Sequence, residues 1–262
     1  ATLTNFPYLS ERWKQNCEKE RLLGVSITGQ WDCPMVREKR VLKALKLEVI
    51  RTNQVYAAKF GINPSTCVTC VKPSGNGSQL IDASSGMHPR YAKYYIRRVR
   101  ISPHEALFKM LKDQKVPYHP EVGQIDGLAS VYVLEFPVKA PEGSITRNDL
   151  TAIEQLEHWK KVKTSFTEHN PSITISVGDD EWIMVANWLY ENWDILGGLS
   201  FLPREDHVYQ LAPYEEITEE QYTKLVEDFP DIDFAQILVY ENSENYIGRG
   251  SQELACAAGS CE

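Results

Sequence analysis

Two stretches of the chain combine residue types and spacings that could do chemistry. The first is Val71 to Gln79, VKPSGNGSQ. Pro73 removes a backbone donor and fixes its own φ, while Gly75 and Gly77 permit backbone angles and close approaches that a Cβ would block. Backbone N–H groups are left exposed, Ser74 and Ser78 add hydroxyl donors, and Asn76 adds a side-chain amide. Ser78 stands where it would cap a helix through Gln79, Leu80 and Ile81, and a helix start with free N–H groups attracts anions. Ser74, Gly75, Asn76, Gly77 and Ser78 are therefore the candidate phosphate-binding residues. The competing reading is a Gly- and Ser-rich turn with no ligand. No Gly-Lys-Ser/Thr follows at Walker spacing, and Leu80 stands where a dinucleotide fingerprint needs its third glycine.

The second stretch is the terminal SQELACAAGSCE. Four small residues, Ala257, Ala258, Gly259 and Ser260, separate Cys256 from Cys261, so the loop can bend to bring the sulfurs together. Thiol–disulfide exchange needs an accessible thiolate, which a polar chain end offers. The fifteen residues from Glu241 to Ala255 could span at most about 50 Å, enough to visit both a buried site and the surface. Cys67 and Cys70 form a second pair, but positions three apart on a strand face opposite sides, and no second CxxC exists to complete a tetrahedral zinc site. That pair is read as packing, as is the lone Cys33 in WDCP. No metal site is expected.

These residues need elements to hold them. Arg12 to Arg21 reads as a surface helix, LLGVSITG as a buried strand, and Val36 to Phe60 as a long core-facing helix stopped by Gly61. Thr66 to Val71 is β-branched and reads as the strand that delivers the cradle; Ala83 to Pro89 is a loop. Further strands are expected over Tyr91–Ile101, Val131–Val138, Ser172–Val177 and Gly198–Pro203. Helices are expected over Pro103–Gln114 and Ile145–Lys163, over a segment capped by Asp179-Asp180, and over Glu219–Phe229. Strands alternating with helices predict an α/β core with a parallel-type sheet. On Tyr91–Ile101, alternation puts Arg98 and Arg100 on one face with Ile96, where a phosphate or a carboxylate would partner them.

Composition is that of an ordinary globular protein. The net charge of −8 disfavours nonspecific nucleic-acid binding, and there is no apolar run long enough to span a bilayer and no basic-then-apolar leader. A cytoplasmic location is the expectation. The six cysteines do not form a convincing disulfide framework in a chain of this length, which points to a reducing compartment.

The run Asn63 to Arg100, NPSTCVTCVKPSGNGSQLIDASSGMHPRYAKYYIRRVR, resembles the substrate-phosphate region of ribonucleotide reductases, and the adenosylcobalamin-dependent (class II) ribonucleoside-triphosphate reductases in particular. The resemblance continues in order through EFPVKAPEGSITRNDL, TAIEQLE, PSITISV, SFLP and APYEEI to the final twelve residues. Ala1 to Leu9 is similar to an internal stretch of such an enzyme, so the chain reads as a C-terminal part of a longer reductase. The fold implied is the C-terminal half of a ten-stranded α/β barrel over 1–240, followed by a flexible redox tail over 241–262.

The function implied is conversion of ribonucleotides to 2′-deoxyribonucleotides by radical chemistry. Cys256 and Cys261 occupy the positions of the family's C-terminal CxxxxC, which carries reducing equivalents from thioredoxin or a similar donor. His88 either borders the active site, as its counterpart does in the family, or shapes its loop. The family's radical cysteine lies in an Asn-Pro-Cys-x-Glu loop; Asn63-Pro64-Ser65 is not that motif, since serine cannot form the thiyl radical. The catalytic core is therefore expected on an N-terminal part. Asn76 and Gly77 replace the family's threonine and apolar residue, which predicts a looser cradle. The resemblance implies adenosylcobalamin as the cofactor; the adjacent tyrosine pair of iron-dependent reductases is not evident, Tyr209 and Tyr214 being apart, which leans the same way. Two other readings are a stand-alone thiol oxidoreductase acting through Cys256 and Cys261, and a nonenzymatic nucleotide-binding module.

Overall fold

The computed structural model describes residues 4–204 and 209–242. In chain order its main elements begin with helices α1 (Glu11–Glu20), α2 (Lys39–Phe60) and α3 (Gly77–Leu80), then strand β1 (Tyr94–Ile101) and helix α4 (Ala106–Asp113). Strands β2 (Tyr118–Pro120) and β3 (Tyr132–Lys139) follow, then α5 (Ala152–Ser165), β4 (Thr174–Val177), α6 (Trp182–Glu191) and β5 (Ser200–Pro203). The last described elements are β6 (Tyr214–Glu216), α7 (Glu219–Asp228) and α8 (Ile237–Asn242). Among the described residues no helix is long and apolar enough to cross a membrane.

The elements sort into two units. The described residues of Ala1–Arg90 and Glu142–Glu205 form one, and those of Tyr91–Pro141 and Asp206–Glu262 form the other. The first unit is built around α5. Thr151 and Glu154 form a reciprocal capping box at its start, and the helix then buries Leu156, Trp159 and Val162 against β4 and α2. Leu42, Met87, Ile175 and Val185 complete that core. β4 and β5 pair in parallel, from Thr174 with Ser200 to Val177 with Pro203.

The second unit is a four-stranded antiparallel sheet in the order β2-β3-β1-β6, with β1 and β3 paired from Tyr94–Lys139 to Ile101–Tyr132. Its core gathers Ile101, Phe108, Met110, Leu111, Tyr132 and Leu134, with the Phe108 and Tyr132 rings stacked at 4.7 Å. Antiparallel pairing departs from the parallel sheet expected of alternating strands and helices. Alternation in sequence does not encode strand direction: β2 and β3 are joined directly by a loop, a connection open to antiparallel neighbours.

Three local expectations also change. LLGVSITG and Thr66–Val71 lie side by side, with Val25 N–H donating to Val68 O at 2.8 Å and Cys70 N–H to Val25 O at 3.0 Å, but they share only the single bridge Val25–Thr69. Hydrophobic and β-branched runs there produce extended chain, not full strands. Helix α2 buries only Leu42 and Ala57, while Leu45 and Phe60 are exposed. Finally, α6 is preceded by Glu181, whose buried carboxylate accepts from Gly178 N at 2.7 Å and Ala152 N at 2.8 Å; Asp179 and Asp180 are exposed.

Candidate functional site

The predicted cradle lies in the first unit, on the turn that leads into α3. Gly75 adopts φ +56°, a left-handed conformation that glycine takes without penalty, with open space where a Cβ would stand. Gly77 opens α3, also with no neighbour within 4 Å of a Cβ and without a positive φ. Neither backbone conformation nor packing by the described residues requires glycine at 77.

Gly75, Asn76 and Gly77 are exposed and Ser74 is half-buried, so these four share one accessible turn. Ser78 differs from expectation. It does not cap the helix from outside but sits inside it, fully buried, with Asn76 at the cap position. The Ser78 hydroxyl has no hydrogen-bond partner among the described residues, and neither does that of buried Ser84. An unsatisfied buried hydroxyl costs about 1–3 kcal/mol, so this segment carries two donors that the described packing does not use.

The turn is held from behind by Asp82–His88. Ser74 N–H donates to the Ser85 hydroxyl at 2.9 Å, the two hydroxyl oxygens lie 3.2 Å apart, and Ala83 N–H donates to Ser78 O at 2.9 Å. Two hydroxyl protons serve one mutual bond, so the Ser74–Ser85 pair can direct its second proton to an acceptor over the turn. Gly86, at φ +57°, fits so closely that a Cβ would lie 2.8 Å from Lys72 O. Thr28 holds the segment from the other side, donating to Ser84 O at 3.0 Å and accepting from Gly86 N at 2.9 Å. Asp32 accepts from Ser84 N at 2.6 Å.

His88 is locked into the same frame. Its Nδ1 lies 2.9 Å from Ser85 O and its Nε2 accepts from Thr174 N at 2.9 Å, which assigns the proton to Nδ1. Burial lowers its pKa, against a smaller rise from the Ser85 bond, so the ring is neutral. With both nitrogens engaged, His88 ties the loop to β4. Of the residues behind the turn, Thr28, Asp32, Ser84, Ser85 and Arg90 are not singled out by the sequence as part of the cradle; the only local signal is the Ser-Ser-Gly run.

The other sequence candidates divide as follows. Cys256 and Cys261 lie outside the described residues. Cys67 and Cys70 are free; Cys70 is buried, and desolvation raises its thiol pKa, the setting of an inert thiol. Among the described residues no three His, Cys, Asp or Glu side chains are grouped to hold a metal ion. Arg98 and Arg100, in the second unit, meet carboxylates: Arg98 reaches Glu135 and Glu215, each at 2.6 Å, and Arg100 meets Glu121. Arg98 and the three carboxylates border a polar cavity of about 800 Å³ that also takes in His119 and Glu216. An apolar groove of about 780 Å³ in the first unit runs along α2, lined by Phe6, Trp13, Cys17, Tyr56 and Phe60.

No family model matches the chain. A Dictyostelium discoideum protein described as a probable adenosylcobalamin-dependent ribonucleoside-triphosphate reductase is 31% identical over 189 residues, covering 71% of this chain and 24% of that protein. The adenosylcobalamin-dependent ribonucleoside-triphosphate reductase of Lactobacillus delbrueckii subsp. bulgaricus is 28% identical over 260 residues, covering 85% of this chain and 34% of its own length. A crystal structure of a B-12 dependent (class II) ribonucleotide reductase shares the fold with a TM-score of 0.73 at 24% identity, over 90% of this chain and 37% of that one. The chain thus spans between a quarter and about a third of the curated relatives it matches.

Proposed function

We propose, from the premise that this chain is a homologue of the adenosylcobalamin-dependent ribonucleoside-triphosphate reductases, that it is the C-terminal part of such an enzyme. It takes part in converting ribonucleotides to 2′-deoxyribonucleotides. Within that enzyme the chain contributes the C-terminal half of a ten-stranded α/β barrel, over 1–240, the anion-binding turn and a terminal dithiol, while the radical cysteine belongs to the N-terminal part.

The observation that carries the assignment of the turn is that Ser74, Gly75, Asn76 and Gly77 share one accessible turn, with Gly75 at φ +56° and the Ser74–Ser85 hydroxyl pair holding a proton it can direct outward. The bound phosphate orients the nucleotide, and the neutral, doubly bonded His88 keeps the loop behind it fixed. Cys256 and Cys261 act in the reductive half. Attack of one thiolate on an active-site disulfide forms a mixed disulfide, and attack by the second releases the active-site dithiol and leaves Cys256–Cys261 oxidised. Thioredoxin or a similar dithiol then reduces it.

Adenosylcobalamin belongs to this reading as the source of the radical. No residue of this chain is assigned to it. A cytoplasmic location goes with a thioredoxin-coupled enzyme.

Serine replacement of Cys256 and Cys261 in the enzyme assembled with its N-terminal part tests the proposal. Turnover with thioredoxin is expected to stop while prereduced enzyme still completes a single turnover. Loss of the single turnover as well would assign the thiols to the reduction itself, and undiminished multiple turnover would remove them from the pathway.

A further inference from the structure

Behind the turn sits a charge cluster that the proposed reaction does not use. Arg90 is only 5% exposed and lies between two carboxylates. Its Nη1 donates to Asp82 Oδ1 at 2.7 Å, its Nη2 donates to the Asp82 carbonyl, and its Nε and Nη2 each lie 3.3 Å from an Asp32 carboxylate oxygen. Burial opposes the charge, but the bonds to Asp82 and Asp32 outweigh it and raise the pKa, so the guanidinium stays charged.

The position of this cluster matters more than its strength. Asp82 holds φ +46°, an uncommon conformation for a non-glycine residue, and the next residue's N–H donates to Ser78 O of the cradle helix. Asp32 in turn accepts from Ser84 N, next to the serine that holds Ser74. Two carboxylates therefore brace an anion-binding turn from behind, the wrong charge for that place unless something cancels it. Asp82 is 65% exposed, so its field reaches solvent on that side.

We infer that Arg90 is a positioning residue of the cradle, which fixes the Asp82–Gly86 brace and neutralises the two carboxylates that would otherwise repel a bound polyphosphate. This rests on the anion-binding reading of Ser74–Ser78.

The test titrates inorganic tripolyphosphate into the assembled enzyme by calorimetry, at low and at high ionic strength. Exposed charges act over about 10 Å at 0.1 M salt and less above it, so a charge effect shrinks with salt whereas a broken loop does not recover. For Arg90→Met, the dissociation constant is expected to rise about tenfold over wild type at low salt, and the ratio to fall toward one at high salt. Adding Asp32→Asn, which keeps an oxygen acceptor for Ser84 N–H, together with Asp82→Asn is expected to bring low-salt binding back within about threefold of wild type.

An Arg90→Met enzyme that binds as wild type does, or whose loss ignores both salt and the added asparagines, overturns the inference. Should Arg90→Met fail to fold, Asp82→Asn alone decides. With Arg90 present it is expected to tighten low-salt binding about twofold, and weaker binding refutes the charge role. Arg51→Ala, removing a cation from an exposed pair on α2, is the control expected to change nothing. Wild-type enzyme that does not bind tripolyphosphate defeats the anion reading itself, and this inference with it.

Discussion

Gly75 and Gly86 offer a matched pair of substitutions that separates two costs usually measured together. Both hold left-handed backbone, at φ +56° and +57°, so alanine pays the same conformational penalty at either, about 1–2 kcal/mol. Their surroundings differ. At Gly75 a Cβ meets nothing within 4 Å, whereas at Gly86 it would lie 2.8 Å from Lys72 O, 3.4 Å from the Lys72 carbonyl carbon and 3.5 Å from Val71 Cγ1. Gly86 cannot retreat, because its N–H donates to Thr28 Oγ1 and its carbonyl accepts from Gln30 N at 3.2 Å. The strain must pass into Lys72 and hence into the turn. A forced backbone shift of this kind adds about 1–3 kcal/mol. Urea unfolding of the two variants is therefore expected to show Gly86→Ala less stable than Gly75→Ala by about 1–3 kcal/mol, with Gly75→Ala about 1–2 kcal/mol below wild type. Equal losses, within about 0.5 kcal/mol, would refute the close approach of Gly86 to Lys72 and the bracing built on it.

Two further expectations concern stability. His158 is buried and its pKa is lowered to about 4 from 6.5, first by desolvation and then by Lys161 and Arg37. The unfolded chain therefore takes up a proton that the folded one refuses, so stability falls as pH drops from 6.5 and levels off near 4. The loss is about 3 kcal/mol at most. Chemical denaturation of His158→Gln across that window is expected to show a shallower slope than wild type, and identical slopes would count against burial as the cause. Arg98→Met leaves Glu135 and Glu215 facing each other without their shared cation. Since Glu215 is 39% exposed, the cost is discounted to about 2 kcal/mol from that of a fully buried pair. Adding Glu135→Gln is expected to return part of it in a double-mutant cycle.

Elements whose signals are local were legible in the sequence. In α5 the helical period is borne out, with Ile153, Leu156 and Trp159 turned toward the core, but the expected start at Ile145 gives way to Ala152, where the Thr151–Glu154 box opens the helix. The strands at Tyr94–Ile101 and Tyr132–Lys139 fall within the predicted segments or one residue beyond them, but their antiparallel pairing is a property of three-dimensional neighbours that no local pattern carries. Gly75 announced its positive φ, whereas burial of Ser78 depended on a loop that closes behind it. Arg90 was unreadable for the plainest reason: its partner Asp32 stands 58 residues away, in a stretch that looks like an ordinary turn.

The division of the first unit into two sequence stretches, with Tyr91–Pro141 between them, bears on how the protein is made. A ribosome delivers the chain from its N-terminus, so Leu42, Val71 and Met87 emerge well before Leu156, Trp159 and Ile175, the residues that cover them. The ties that close this unit span 97 residues from Thr69 to Phe166 and 100 from Val68 to Glu168, and in the second unit Arg98 waits 114 residues for Ala212. Contacts so distant cost loop-closure entropy before they return any energy, which slows folding and leaves apolar segments uncovered during synthesis. Neither unit can therefore be completed while the chain is still short. The cradle lies in the first third of the sequence, yet its tie from Thr174 to His88 can form only after β4 has been translated.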